Sequence, residues 1–193
     1  MNWRPVLRAA AATALAATVR APLGLRPPPL WAGLRYGAAA AGLVSAGVAA
    51  GTALPAVRVA MRERDVPDAP ARWLALDIPV GTVWFEETLF RGAVTAVASR
   101  AFGPTGGWLL QAAAFGLWHI PDARTAGDPV LGTVVVTGAA GLGFGWLGRR
   151  SGSVLAPMLA HLAINEAGAV AALLTRRGRH RQLESSGLGY SST

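Results

Sequence analysis

The chain has 193 residues, 52% of them hydrophobic, with a mean hydropathy of +0.38, which suits one membrane-embedded domain better than a soluble globule. The absence of cysteine excludes a disulfide framework and any thiolate metal site. The net charge of +8 rests on 18 arginines and no lysine, and because these cluster between apolar runs and at the termini they read as membrane flanks, not as a nucleic-acid-binding surface.

In chain order, residues 1–35 form a basic amino-terminal segment. Its "LRAAAATALAATVRA" stretch has 11 uncharged residues between Arg8 and Arg20 and reads as an interfacial helix, with a signal-like h-region as the alternative. Residues 36–175 should form an all-α, polytopic membrane bundle of about five spanning helices, each needing about 20 residues at 1.5 Å rise.

Segment A, Tyr36 to Val57, is uncharged and fenced by Arg35 and Arg58. Segment B, Asp77 to Ser99, takes Asp77 as its N-cap and holds Pro79 in its first turn. Segment C, Gly106 to Ile120, stops at Pro121 and is short for a full span. Segment D, Val130 to Gly148, is rich in the small residues that let membrane helices approach closely. Segment E, Ser153 to Thr175, carries Pro157 as an expected early kink. Residues 176–193, basic and then small and polar, read as a disordered tail. No internal repeat is evident. Loop arginines divide eight against nine between the two faces, which leaves the orientation undecided.

The stretch "VWFEETLFRG" places Glu86, Glu87 and Arg91 inside segment B. Left unpaired at mid-membrane, the three charges would cost roughly 8 to 10 kcal/mol on insertion scales. Glu87 and Arg91 are four apart, about 40° from one another on an α-helical wheel, and can form an ion pair. Glu86 lies about 140° from Arg91 and is left without a local partner. Segment C contributes Phe115 and His119, and segment E contributes His161 and Asn165, both pairs at i and i+4 on one face. Glu166, about 100° round from Asn165, belongs to a second polar face or lines a wet cavity.

Depth joins these fragments. Glu86 is 13 residues from Ser99, His119 is 13 from Gly106 and Asn165 is 13 from Gly152, so these three lie about 20 Å from one membrane face, with His161 one turn away. In a core about 30 Å thick the layer is then about 10 Å below the other face, where the Pro121 to Pro129 loop is the expected lid.

The blocks "EETLFR", "FGLWH" and "HLAIN" occur in that order, and in them the chain resembles the CPBP family of intramembrane metalloproteases, which includes the CAAX prenyl endopeptidases of the Rce1 type and bacterial Abi proteins. The resemblance covers about residues 75–170. It implies that Glu86, with His119, activates a water for attack on a peptide carbonyl, that His161 and Asn165 stabilise the oxyanion, and that Glu87 and Arg91 hold the site's shape. It leaves two chemistries open: zinc held by Glu86, His119 and His161, or a metal-free glutamate and histidine mechanism. The implied substrate is a peptide or a membrane-associated protein. The expected partner is the lipid bilayer, with no nucleic acid, and the expected location is a bacterial cell membrane. Family members often have six to eight membrane helices, so the amino-terminal scaffold is reduced here. The competing class is a noncatalytic membrane protein of the same fold, an immunity or scaffold factor, or a small transporter that uses the polar layer as an ion path.

Overall fold

The computed structural model describes residues 3–185, with side chains through Arg176, and every regular element in that range is helical. Helix α1 (Arg4–Thr18) is followed by α2 (Pro29–Thr52) and α3 (Pro55–Glu63). A single turn, α4 (Pro70–Arg72), leads into two wide-turned stretches with i→i+5 bonding, π1 (Trp73–Trp84) and π2 (Glu87–Val94). Then come α5 (Thr95–Trp118), α6 (Ile120–Ala126), α7 (Val130–Ser151) and α8 (Leu155–Ser185). On length and apolar composition two of the described helices can cross a membrane, α7 and the Leu155–Arg176 part of α8, or three if the bent α2 and α3 pair counts as one span.

Segment A differs from its expectation in having Pro55 inside it. A proline removes one ladder hydrogen bond and clashes with the preceding turn. The helix stops at Thr52, and α3 leaves at 97°. Segment B starts earlier than expected, at Pro70, so Asp77 caps nothing and instead pairs with Arg72 at 3.3 Å. Pro79 sits inside π1, where the wider turn takes in the ring. Pro157 lies in the first turn of α8, where its missing N–H would have had no helical partner. The lid loop is also absent: residues 120–126 are helix α6, closed by Gly127 in the left-handed region. Helix α8 continues ten residues past the expected end at Thr175, through arginine, glutamine and leucine, all good helix formers. The rest of the expected tail, 186–193, lies outside the described residues.

Segments B and C form an antiparallel hairpin that turns at Gly103, whose φ of 73° is open to glycine at no steric cost. Phe90 meets Phe115 at 5.2 Å between ring centroids, and Phe85 meets Trp118 at 5.8 Å. Near the turn the arms are so close that a Cβ on Gly107 would lie 2.7 Å from the backbone nitrogen of Ser99. Helix α7 lies against the second arm, held by buried Gln111, which donates to the Gly141 carbonyl at 2.9 Å, and by Trp108, which donates to the Leu142 carbonyl at 3.0 Å. A tight turn at Gly152 then brings α8 back along α7.

The amino-terminal segment does not stand apart. Pro5, Ala9, Ala12 and Ala16 form a buried stripe on α1, with Gly81 packed on Pro5 and Gly92 beside Ala16, so α1 runs parallel to the helix that carries the acidic residues. Trp84 donates to Thr13 across this contact at 2.9 Å. Leu43, Phe102, Leu131, Val136 and Leu174 point outward, while Glu87, Thr88, Gln111 and His161 are buried. Apolar side chains outside and polar ones inside is the arrangement that lipid selects.

Replacing Gly107 by valine should therefore separate the arms and lower stability by about 1–3 kcal/mol. Thermal unfolding followed by circular dichroism in detergent micelles measures this, and an unchanged midpoint would show that the hairpin is not packed as described.

Candidate active site

Phe85 and Glu86 lie between the two wide-turned stretches, and Glu87, Thr88, Phe90 and Arg91 fill the buried side of π2. Such a helix winds through a smaller angle per residue than the about 100° of an α-helix. Residues four apart are therefore nearly in line, which suits Glu87 and Arg91. Their side chains pair at 3.1 Å, with 0% and 2% exposure. The guanidinium also lies over the rings of Phe115, at 4.1 Å, and Phe144, at 5.0 Å. These faces stabilise a cation that is otherwise desolvated, since its Nε and Nη2 have no hydrogen-bond partner.

Glu87 has a second partner that the spacing of residues did not reveal. His161 Nδ1 lies 2.8 Å from the same Oε1 that accepts from Arg91. An ionised carboxylate accepts, so the bond assigns the proton to Nδ1 and leaves Nε2 as the free position of the ring. The ring is stacked on Phe144 at 5.0 Å and 21°, and stands edge-on to Phe115 at 6.0 Å. Its Nε2 faces Glu86 Oε2 at 3.9 Å, too long for a hydrogen bond. That carboxylate oxygen is buried and has no other partner. The two neighbouring glutamates thus differ in occupancy. Glu87 is held by two donors, and Glu86 has its charge directed at an imidazole nitrogen across a gap.

His119 ends the second hairpin arm, half-buried, where its ring meets Phe115 edge-on at 4.7 Å and its Nδ1 is 2.8 Å from the Phe115 carbonyl oxygen. It lies within electrostatic reach of Glu86. Asn165 is one turn beyond His161 on α8, and its amide donates back to the His161 carbonyl at 3.2 Å. The structure therefore gathers Glu86, Glu87, Arg91 and His161 into one buried cluster, with His119 within electrostatic reach of Glu86 and Asn165 one turn along α8 from His161. Phe144 was not singled out from the sequence. It is one of two aromatics, with Trp146, in the glycine-rich "GLGFGWLG" of segment D, and a large ring with a glycine on each side is the signal that marks it.

Among the described residues no three His, Cys, Asp or Glu side chains are grouped to hold a metal ion. Both histidines are engaged through Nδ1, which leaves each Nε2 open, as in a metal-ligating histidine whose other nitrogen bonds a carbonyl or carboxylate, and His161 Nε2 stands 3.9 Å from Glu86 Oε2.

An all-helical bundle with apolar flanks and a buried layer of acid, arginine and histidine defines a polytopic membrane protein with an internal polar site. Residues 68–167 match the family model for type II CAAX prenyl endopeptidases, Rce1-like, and the chain belongs to that family of membrane-embedded proteases. No curated protein and no solved structure matches it.

Changing Glu87 to glutamine should leave Arg91 short of a counter-charge, and His161 Nδ1–H with a weaker acceptor, in a dry site, at a cost of about 3–5 kcal/mol. The same change at Glu86 removes no hydrogen bond. Paired thermal melts of the two variants in detergent should show a much larger fall for Glu87→Gln, and equal falls would contradict the division of roles.

Proposed function

We propose that the protein is an intramembrane endopeptidase that hydrolyses a peptide bond of a membrane-associated protein or peptide with a water activated by Glu86. The observation that carries this reading is the unpartnered Glu86 Oε2, which faces His161 Nε2 at 3.9 Å beside a Glu87 already held by two donors. A water can bond to both groups across such a gap. The bundle around it would cross the membrane about five times, through α2, the two arms of the hairpin, α7 and α8.

Glu86, with His119 on the adjacent wall, takes a proton from the water as its oxygen attacks the scissile carbonyl carbon. Desolvation strengthens a carboxylate for that step. The electron pair of the carbonyl moves to its oxygen, which the Asn165 amide stabilises as a donor, joined by His161 once Nε2 shares the proton that Glu86 has taken from the water. Such donors act strongly where water is excluded. As the carbon–nitrogen bond breaks, the proton held by Glu86 passes to the departing amine. Glu87 takes no proton. It fixes the His161 ring through Nδ1, while Arg91 and Phe144 hold the carboxylate and the ring in place.

The test is purified protein reconstituted in liposomes with a tagged peptide library. Glu86→Ala and His119→Ala should each lower cleavage by at least about 100-fold, the usual range for a lost acid–base group. Cleavage that survives both substitutions would refute the mechanism, and a wild-type protein that cleaves nothing would favour the noncatalytic reading of the same fold.

A further inference from the structure

The two ends of the bundle differ in charge, and the difference has no part in peptide hydrolysis. One end collects the α1–α2 connection, the Gly103 turn and the α7–α8 turn: Leu23 accepts from the Val154 amide at 3.0 Å, and Arg100 donates to the Arg20 carbonyl at 3.5 Å. These three segments carry Arg20, Arg26, Arg100, Arg149 and Arg150 and no carboxylate. The other end is mixed: residues 53–72 and 119–129 carry five arginines (Arg58, Arg62, Arg64, Arg72, Arg124) against five carboxylates (Glu63, Asp65, Asp68, Asp122, Asp128), and the start of α1 and the far part of α8 add Arg4, Arg8 and Arg176. The hairpin end therefore has an excess of positive charge that its own residues leave unbalanced.

That excess is organised around a cavity of about 370 Å³ lined by Thr105, Trp108, Trp146, Arg149 and Arg150. Arg149 is held in place without a carboxylate: its Nη1 donates to the Pro104 carbonyl at 3.3 Å and its guanidinium lies 5.5 Å from the centre of the Trp108 ring. Trp108 is itself fixed by its bond to the Leu142 carbonyl. Arg150 lies over the Tyr36 ring at 5.5 Å, again without an acid. The second hairpin arm begins here at Pro104, so its peptide dipoles present their positive end to the same space. Trp146 is exposed one turn before the end of α7, the depth at which tryptophan meets lipid headgroups.

We propose that this cavity binds the phosphate headgroup of an anionic phospholipid, with Arg149 and Arg150 as the phosphate ligands and Trp108 and Trp146 against the glycerol and upper acyl chains. Arginine guanidinium matches phosphate oxygens in geometry, and the tryptophans fit the apolar side of the headgroup boundary. A bound lipid would tie the Gly103 turn to the end of α7, and so fix the hairpin that carries Glu86 and His119 at its far end.

The full chain, purified in detergent, is titrated with short-chain phosphatidylglycerol, phosphatidylcholine and inorganic phosphate, with bound ligand counted by native mass spectrometry. Phosphatidylglycerol should bind at least about tenfold more tightly than phosphatidylcholine. At about 1 kcal/mol per arginine near a lipid surface, the Arg149→Gln, Arg150→Gln double variant should lose roughly 20- to 30-fold and Arg150→Gln alone about fivefold. The single variant keeps Arg149 on Trp108, so it decides the matter if the double variant does not fold. The opposite-end control, Arg62→Gln with Arg64→Gln, should bind as wild type does. Equal affinity for the two lipids, an unchanged affinity in Arg150→Gln, or an equal loss in the control would overturn the proposal. Displacement of phosphatidylglycerol by an equal concentration of inorganic phosphate would assign the cavity to a free anion instead.

Discussion

One carboxylate, that of Glu87, accepts from both Arg91 and His161 inside an apolar bundle, and the remaining site geometry depends on it. In a low dielectric an ion pair is strong once formed and its isolated members are costly, so the three groups hold one another where no water can substitute. Two rings complete the arrangement, since Phe115 and Phe144 lie on the guanidinium and Phe144 also stacks on the imidazole. The partners come from four parts of the chain. Glu87 and Arg91 come from the first hairpin arm, Phe115 from the second, Phe144 from α7 and His161 from α8.

The glycines matter because they let those four helices approach. A Cβ on Gly116 would meet the Val134 carbonyl oxygen at 2.7 Å, and one on Gly141 would meet the Ala112 Cα at 3.1 Å. Close backbones bring short side chains within reach across the bundle, and Gln111 uses that proximity to bond Gly141 directly. The wide turns on either side of Phe85 and Glu86 serve the same end. They change the winding locally, so that Glu87 and Arg91 nearly align while Glu86 is turned to another side of the cluster.

Much of this was legible in the sequence, for physical reasons. Charges in an apolar run need partners, and i,i+4 spacing named the one for Glu87. Counting residues from the turns placed Glu86 and His119 at one level, and the antiparallel hairpin brings them to it, since its aromatic pairs Phe85–Trp118 and Phe90–Phe115 follow nearly the same register as Glu86 and His119. Other features were not legible. Spacing within one helix says nothing of contacts between helices, so the bond from His161 to Glu87 was hidden, as was the role of Phe144. Hydropathy averaged over a window conceals one proline, so the break at Pro55 was missed. An uncharged run of 11 residues is too short to read as a bundle helix, yet α1 packs fully against the helix that carries the acids, through the small face of Pro5, Ala9, Ala12 and Ala16.

The central claim is that Glu87 sets the tautomer of His161 and so leaves Nε2 toward Glu86. Nitrogen-15 NMR of histidine-labelled protein in micelles reads this directly, with the His161 signal assigned by its loss in a His161→Gln variant. The Nδ1-protonated form is expected in the wild type, shifting toward a mixture in Glu87→Gln and unchanged in Glu86→Gln. An Nε2-protonated His161 that does not respond to Glu87 would contradict the account.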